Sequence, residues 1–478
     1  MAHPSQPVSV PPLGARSPDP VAVALGNASL FGVGYLLLGR RRLALTAAAG
    51  TVTLLAASAA VAQRWCDVAV LGWWAYVTGH GWRLAGGRAR RAARGDAGAR
   101  RQRLVALAVT VPVLLTAGLL RLDTVRLTQR ADDARQRGDC AAVLAAAGHV
   151  GDAHRLADPP NAARTEALGA ACRRLAAAGD ALATGLTGDV EALDDGFATL
   201  AAVQAKPGHG ALVRTVLNGF LRELPTGHAC RTATVTDWLR AHAPRRPPFD
   251  RSADTVRRTA PRALLSCGED LMSDSRWRQA ERRFRQLLDQ YPDHRLAARA
   301  KDGARRAVLG RELAHVRELL GTTGSDGRPT YCDRPARYSG ADRYDTGVNR
   351  ALFYGNDEYT TKLPDRWRAE DVTEAVLVVC AEEEKHGTAV RTCPYESKLS
   401  PFIPREVTFH KIAVPVTVYE LRTGKLVADR TVQIDGASCP RKLEYTTYGP
   451  LDTGPPSDVY VKASKADVRR AFEPVVRR

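Results

Sequence analysis

The sequence lacks the short motifs that mark the common enzyme classes. It contains no GxSxG, HExxH or SxxK pattern and no phosphate-binding P-loop. It also has no CxxC pair, and its histidines are scattered, so the donor spacing of a zinc site is missing. These absences favour a protein that is not an enzyme and that carries no metal or other cofactor.

Lysine is absent from residues 1–121, where the acidic residues are Asp19, Asp67 and Asp96. The same stretch holds 14 arginines, so it carries +11 of the formal net charge of +18. The rest of the chain is nearly balanced, which excludes the basic stripe of a nucleic-acid-binding protein. The preference for arginine, alanine and glycine is typical of GC-rich bacterial genomes, such as those of actinobacteria.

Hydrophobic segments fill residues 21–121, after a stretch, 1–20, that we expect to be flexible. About 20 apolar residues are enough to cross a bilayer core of roughly 30 Å. The first segment is a poor cleavable signal peptide, because Arg16 is the main positive charge before it and no small-x-small site follows. The third contains Asp67, His80 and several aromatic residues, and an interfacial helix is its alternative. The sequence predicts four transmembrane helices, at about 21–38, 43–62, 66–82 and 104–120.

The two basic loops between these segments predict the orientation. Short arginine-rich loops stay in the cytoplasm. With four spans, the loop after the first segment and the loop before the fourth lie on the same side. We therefore predict that both termini and the large C-terminal region lie outside the plasma membrane. The arginines that carry this prediction are Arg40, Arg41, Arg42, Arg88, Arg90, Arg91, Arg94, Arg100, Arg101 and Arg103.

Eight cysteines follow Cys66, which lies in the membrane segment. An even number of cysteines in an extracytoplasmic region predicts disulfides between sequence neighbours, with free buried thiols as the alternative. Cys380 and Cys393 flank a polar hairpin, and antiparallel neighbours lie within disulfide reach, so we predict that these two pair. The candidates are Cys140, Cys172, Cys230, Cys267, Cys332, Cys439, Cys380 and Cys393.

Residues 122–320 are predicted to be helical, most clearly at 261–294. Two amphipathic helices occur there, with small residues where they would cross and a proline after the second. This pattern resembles a tetratricopeptide repeat, and weaker echoes begin at Gly138 and Gly188. The resemblance implies stacked helix pairs with a concave surface for a peptide or protein; a helical spacer is the alternative. The packing positions are Leu264, Gly268, Leu271, Trp277, Ala280, Phe284, Leu287 and Pro292.

A glycine-rich linker at 321–330 precedes a change of periodicity. Beyond it, residues 331–478 are predicted to form a small, mostly β domain, a sandwich or sheet stapled by disulfides. The predicted elements are strands at 374–380, 406–421 and 426–434, a β-bulge near His410, and a helix at 464–476.

Two side-chain clusters in this domain are candidate binding sites. Tyrosine with arginine suits a sugar or an anionic polymer, and a loop-rich domain edge explains the cluster equally well. Glu382–Glu384 beside His386 would suit a cation, or form a solvated loop tip. The aromatic cluster comprises Tyr331, Tyr338, Tyr344, Tyr354, Tyr359, Arg337, Arg343 and Arg350.

The sequence thus predicts a multidomain chain: a four-helix transmembrane anchor, a helical middle domain and a β-rich C-terminal domain. The function it favours is non-enzymatic binding of a protein partner or cell-wall polymer outside the cell. The alternative is an accessory subunit of a membrane transport or secretion assembly. The spans lack the mid-membrane acid or lysine that marks an ion path, which counts against that alternative.

Overall fold

A computed structural model describes residues 18–87, 97–244, 247–324, 327–397, 400–446 and 454–478. The predicted flexible segment 1–20 lies almost entirely outside these ranges, and so do Arg88, Arg90, Arg91 and Arg94. The described chain is mostly helical and ends in a mixed β-sheet. It divides into two compact units, Met1–Ala260 and Pro261–Arg478.

The described part of the first unit is helical throughout. Many helices begin at a side-chain cap; Asp139, for example, accepts a hydrogen bond from the backbone N–H of Ala142 at 3.0 Å. The helices are α1 (Pro20–Ala28), α2 (Val33–Leu37), α3 (Arg41–Val61), α4 (Arg64–Leu84), α5 (Ala97–Arg137), α6 (Cys140–Gly148), α7 (Asp152–Ala157), α8 (Pro159–Gly185), α9 (Val190–Gln204), α10 (Gly210–Arg222), α11 (Ala229–His242) and the first part of α12 (Arg251–Ser273).

Two described helices, α3 and α5, are long and apolar enough to cross a membrane by length and composition. The prediction of four such helices is therefore wrong. The first segment breaks between Ala28 and Val33, where Leu30 and Gly32 have φ of +68° and +71°. These angles are incompatible with a right-handed helix, and the two pieces are too short to span. The third segment, α4, is a 21-residue helix whose glycines, aromatic rings and His80 lower its hydropathy.

Helix α5 continues well beyond the predicted span 104–120. It is 41 residues long, and Leu127, Ala131 and Ala134 in its last part are buried. The disulfide Cys140–Cys172, with its Cα atoms 5.4 Å apart, joins α6 to α8 beside this part. The pairing of these two sequence neighbours is confirmed.

Small residues let helices α8 and α9 approach closely. A Cβ atom added to Gly185 would lie 2.4 Å from the Leu193 side chain, and one added to Gly196 would lie 2.8 Å from Leu182. Gly188, where a weaker echo of the repeat was predicted to begin, lies in the turn between these two helices with φ of +101°. The resemblance of this pair to a tetratricopeptide repeat remains a prediction.

The described residues of the second unit form the last part of α12, four further helices and a six-stranded mixed sheet. Strand β4 is central: β2, β3 and β5 pair with it antiparallel, β6 pairs with it parallel, and β1 lies parallel to β2. The elements after α12 are α13 (Trp277–Gln290), α14 (Ala297–Gly321), β1 (Ala351–Tyr354), α15 (Asp357–Thr360), β2 (Leu377–Ala381), β3 (Lys385–Ser397), β4 (Ser400–Glu420), β5 (Lys425–Ile434), β6 (Asp458–Tyr460) and α16 (Lys465–Val476).

Strands β2, β4 and β5 and the last helix follow the predicted pattern, whereas β1, β3 and β6 were not predicted. Strand β2 is buried at every residue, β4 and β5 form the predicted hairpin, and α16 matches 464–476. The register of β3 against β4 shifts opposite His410, so the predicted irregularity is present, with the extra residues on β3. The domain is one sheet.

The prediction that Cys380 pairs with Cys393 is wrong. Strand β4 lies between β2 and β3, so these two cysteines are not on neighbouring strands. The disulfides are Cys332–Cys380 and Cys393–Cys439, with Cα separations of 5.9 and 6.0 Å. Cys230 and Cys267 are also disulfide-bonded, whereas Cys66 is free and buried. All eight cysteines that were predicted to form disulfides are therefore disulfide-bonded.

The helix pair α12–α13 packs around Phe284, which is fully buried. A Cβ atom added to Gly268 of α12 or to Gly303 of α14 would lie less than 3 Å from the Phe284 ring. The absence of a side chain at these two glycines therefore leaves the space that the ring occupies. Trp277 is half-buried, Pro292 follows the end of α13, and α12 starts earlier than predicted. The predicted packing positions that are buried are Leu264, Gly268, Leu271, Ala280, Phe284 and Leu287.

Helix α14 belongs to the same core as the sheet. Val316 packs with Tyr331, Leu352 and Val378. The sequence-based division at 321–330 separated this helix from the β domain, whereas the contacts place 261–478 in one unit. A cleft beside α14 is therefore built by helices and sheet domain together.

Candidate ligand groove

A groove of about 620 Å³ lies in the second unit, beside the start of α13 and the middle of α14. The loop at Ala336 and Arg337 closes one side of it. Four arginines line it together with Glu312 and Glu318, and its main apolar surface is Trp277. The lining residues used below are Arg276, Trp277, Arg278, Arg311, Glu312 and Arg337.

A tight turn between α12 and α13 positions Trp277 and its two arginine neighbours. Ser275 has φ of +59°, and the Arg276 N–H donates to the Leu271 carbonyl at 2.8 Å. The indole lies against Gly310 of α14, where an added Cβ would be 2.8 Å from the ring. A glycine in α14 thus allows a flat aromatic surface to form beside the arginines.

Glu312 is the most buried carboxylate of the groove, with an exposed fraction of 7%. It accepts hydrogen bonds from Arg337 Nε at 2.9 Å, the Ser339 N–H at 2.9 Å and the Ser339 hydroxyl at 2.5 Å. Burial alone would raise the pKa of this carboxyl, but these hydrogen bonds and the Arg337 charge hold the pKa below its ordinary value. Glu312 is therefore ionised, and it neutralises Arg337.

The other arginines of the groove are not neutralised to the same degree. Arg276 and Arg278 are exposed and have no ion-pair partner among the described residues. The buried Nε of Arg311 has no hydrogen-bond acceptor, and its distance to the Glu281 carboxylate is 3.8 Å. The groove suits an anionic ligand with an apolar portion over Trp277.

The predicted tyrosine–arginine cluster does not form a shared surface. Tyr331 and Tyr359 are buried in the core, and burial, more than the nearby Glu358 and Glu384 charges, raises the pKa of Tyr359 to about 12. Arg350 pairs with Glu374 at 2.9 Å. These tyrosines were misread because their spacing in a loop-rich segment does not reveal which of them fill the core. Of the cluster's arginines, Arg337 lines the groove.

The segment Glu382–Glu384 does not converge on a cation position. Asn356 Nδ2 donates to Glu384 Oε2 at 2.9 Å, and the ring of His386 packs against His410 at 5.1 Å. Within the described ranges, no three His, Cys, Asp or Glu side chains are grouped as metal ligands would be. His410 instead contacts Asp458 at 2.7 Å and joins β6 to β4.

Comparison with family models, with curated proteins and with solved structures found no match. The candidate site is therefore inferred from the arrangement of its own residues alone. Sequence reasoning used Trp277 as a packing position and missed Arg276, Arg278 and Arg311. The alternation Arg276-Trp277-Arg278 at the start of a helix was the available signal, whereas Arg311 gave none because it lies about 35 positions further along.

Proposed function

We propose that this chain is a membrane-anchored, extracytoplasmic binding protein without enzymatic activity, and that its groove holds an acidic segment of a protein partner. The observation that carries the proposal is the group of incompletely neutralised arginines around Trp277. Carboxylates are natural partners for guanidinium groups, and an aromatic ring adds apolar contact. A wall polymer with negative charge is the competing ligand.

Exposed apolar side chains support the membrane location. Leu45 of α3, Val68 of α4 and Leu104 of α5 are 71%, 69% and 61% exposed. Large apolar surfaces of this kind are rare on water-soluble monomers and normal in lipid. Oxidation of the eight later cysteines supports an oxidising compartment for the rest of the chain.

Reversing the charge of Arg276 and Arg278 together should weaken binding of a fluorescent glutamate-rich decapeptide by about tenfold or more, since each lost charge contact is worth about a kcal/mol. Fluorescence anisotropy with the purified full chain measures this. Binding should also weaken as salt is added. The matched control reverses Arg430 and Arg469, which are exposed arginines of the same unit.

Equal loss in both double variants would show binding to the general surface charge and contradict the groove. Polyphosphate of equal charge is the second probe. If it binds at the groove as tightly as the peptide, and the Trp277→Ala substitution weakens neither, the ligand is an anionic polymer and the peptide proposal fails.

One observation favours the alternative, an accessory subunit in a membrane assembly. A second groove, of about 830 Å³, runs between α3 and α4. Gly50, Ala57, Ala69 and Gly72 line it, and small residues allow another membrane helix to approach closely. Co-purification of a second membrane protein that is lost in Gly72→Leu would support this reading.

A further inference from the structure

Helix α1 begins next to the start of the apolar part of α5. The Asp19 N–H donates to Gln102 Oε1 at 3.0 Å, and Arg103 Nε lies 2.5 Å from the Asp19 carboxylate. Further along both helices, six residues after Asp19 and seven after Arg103, the Thr110 hydroxyl donates to the Leu25 carbonyl at 2.7 Å. The two helices thus run side by side from the same end of the bundle.

After the break, the chain returns toward that end. The Tyr35 hydroxyl lies 2.8 Å from His80 Nδ1, near the last turn of α4. A Cβ added to Gly81, in that turn, would contact the side chain of Asn27 and approach Val23 of α1. Both Asp19 and Tyr35 are therefore near the end of the bundle where α4 finishes and α5 begins.

The opposite end of the bundle is marked by another ion pair. Arg121 of α5 lies 3.2 Å from Asp67 of α4. Arg103 and Arg121 are 18 residues apart in one helix, which corresponds to about 27 Å at 1.5 Å per residue. This distance is close to a bilayer core of roughly 30 Å. By the same rise, Thr110 lies about 10 Å from Arg103, so Leu25 reaches only part of the way across.

The polar groups at the break have partners within the protein. Trp74 Nε1 donates to the Ala28 carbonyl at 3.1 Å, and the Thr51 hydroxyl donates to the Leu30 carbonyl at 3.0 Å. Asn27 accepts from the Tyr35 N–H and donates to the Val77 carbonyl, both at 3.2 Å. Non-helical backbone at membrane depth is tolerated where protein satisfies it in this way.

We propose that residues 18–40 form a re-entrant hairpin, which enters and leaves the bilayer on one face, and that α3, α4 and α5 make three crossings. This inference rests on the proposed membrane location. The positive-inside rule places Arg40–Arg42 and Arg100–Arg103, hence also Asp19, in the cytoplasm. Residue 18 then lies at the cytoplasmic face of the membrane, and the second unit lies on the other side.

Thiol labelling in intact cells tests this topology. Single cysteines replace Pro18, Gly39 and Gln63 in a full-length Cys66→Ser background, and an impermeant biotin-maleimide is added before or after permeabilisation. We expect Gln63→Cys to react in intact cells, and Pro18→Cys and Gly39→Cys to react at least tenfold more after permeabilisation. Reaction of both Pro18→Cys and Gln63→Cys in intact cells would restore four crossings and overturn the hairpin. A protected Gln63→Cys would instead contradict the proposed orientation, separately from the hairpin.

Cross-linking provides a test that does not depend on labelling from one side. The Asp19→Cys/Arg103→Cys pair should be joined by a short, membrane-permeant bismaleimide. The matched pair Asp19→Cys/Arg121→Cys should not, because Arg121 lies about 27 Å further along α5. Cross-linking of the second pair, without the first, would show that α1 runs the other way and contradict the hairpin.

Discussion

Phe284→Ala should lower the free energy of unfolding of the second unit by about 3–5 kcal/mol, the usual cost of removing a buried aromatic ring. The ring fills the space that Gly268 of α12 and Gly303 of α14 leave open. Two helices would lose their shared contact, and backbone at the glycines cannot easily collapse into the cavity. Hydrogen-exchange mass spectrometry of α13 peptides in the purified full chain measures this loss.

A matched pair of glycine substitutions tests the same packing by adding volume beside the Phe284 ring instead of removing the ring. Gly268→Ala should destabilise the unit by about 1–3 kcal/mol, because the new methyl group overlaps the Phe284 ring. Gly219→Ala, in α10, has open space around it and should be neutral or stabilising by up to about 1 kcal/mol. Equal effects of the two substitutions would show that α12 and α13 do not cross closely.

Replacing Cys332 and Cys380 together by alanine should lower the free energy of unfolding of the second unit by about 4 kcal/mol. The sequence separation is 48 residues, and the chain-entropy relation for a loop of that length gives this value. Both cysteines are buried between α14 and the sheet, so exchange of β2 amides should accelerate most.

The disulfide Cys393–Cys439 is the natural control, because its separation of 46 residues predicts nearly the same entropic term. Removing it should spare β2, since Cys393 lies on the opposite side of β4. If β2 exchange is unchanged without Cys332–Cys380, that disulfide does not hold the strand in place.

Local patterns predicted the parts of the fold that depend on neighbours in sequence. Ala280, Phe284 and Leu287 repeat at helical spacing, and alternation in 406–421 identified β4 and its turn to β5. The Cys380–Cys393 pairing failed because strand order is a long-range property: β4 inserts between two strands that are consecutive in sequence. The groove was not predicted for the same reason, because Arg276 and Arg311 are far apart in sequence and only the fold brings them together.

The first hydrophobic segment shows a different limit. Hydropathy averages composition over residues 21–38 and is insensitive to a change of φ at Leu30 and Gly32. Asn27 was the local sign, because an amide inside an apolar run needs several hydrogen-bond partners. Its partner Tyr35 is near in sequence, whereas its partner Val77 is 50 residues away. Only the fold brings the two together around Asn27.

The central claim is that the second unit lies outside the cell, and one cysteine tests it most directly. Arg469 is an exposed residue of α16 and has no ion-pair partner among the described residues. In the full-length Cys66→Ser chain, Arg469→Cys should react with impermeant maleimide in intact cells, while Gly39→Cys stays protected. Protection of Arg469→Cys until the membrane is permeabilised would place the unit in the cytoplasm and contradict the extracytoplasmic binding role.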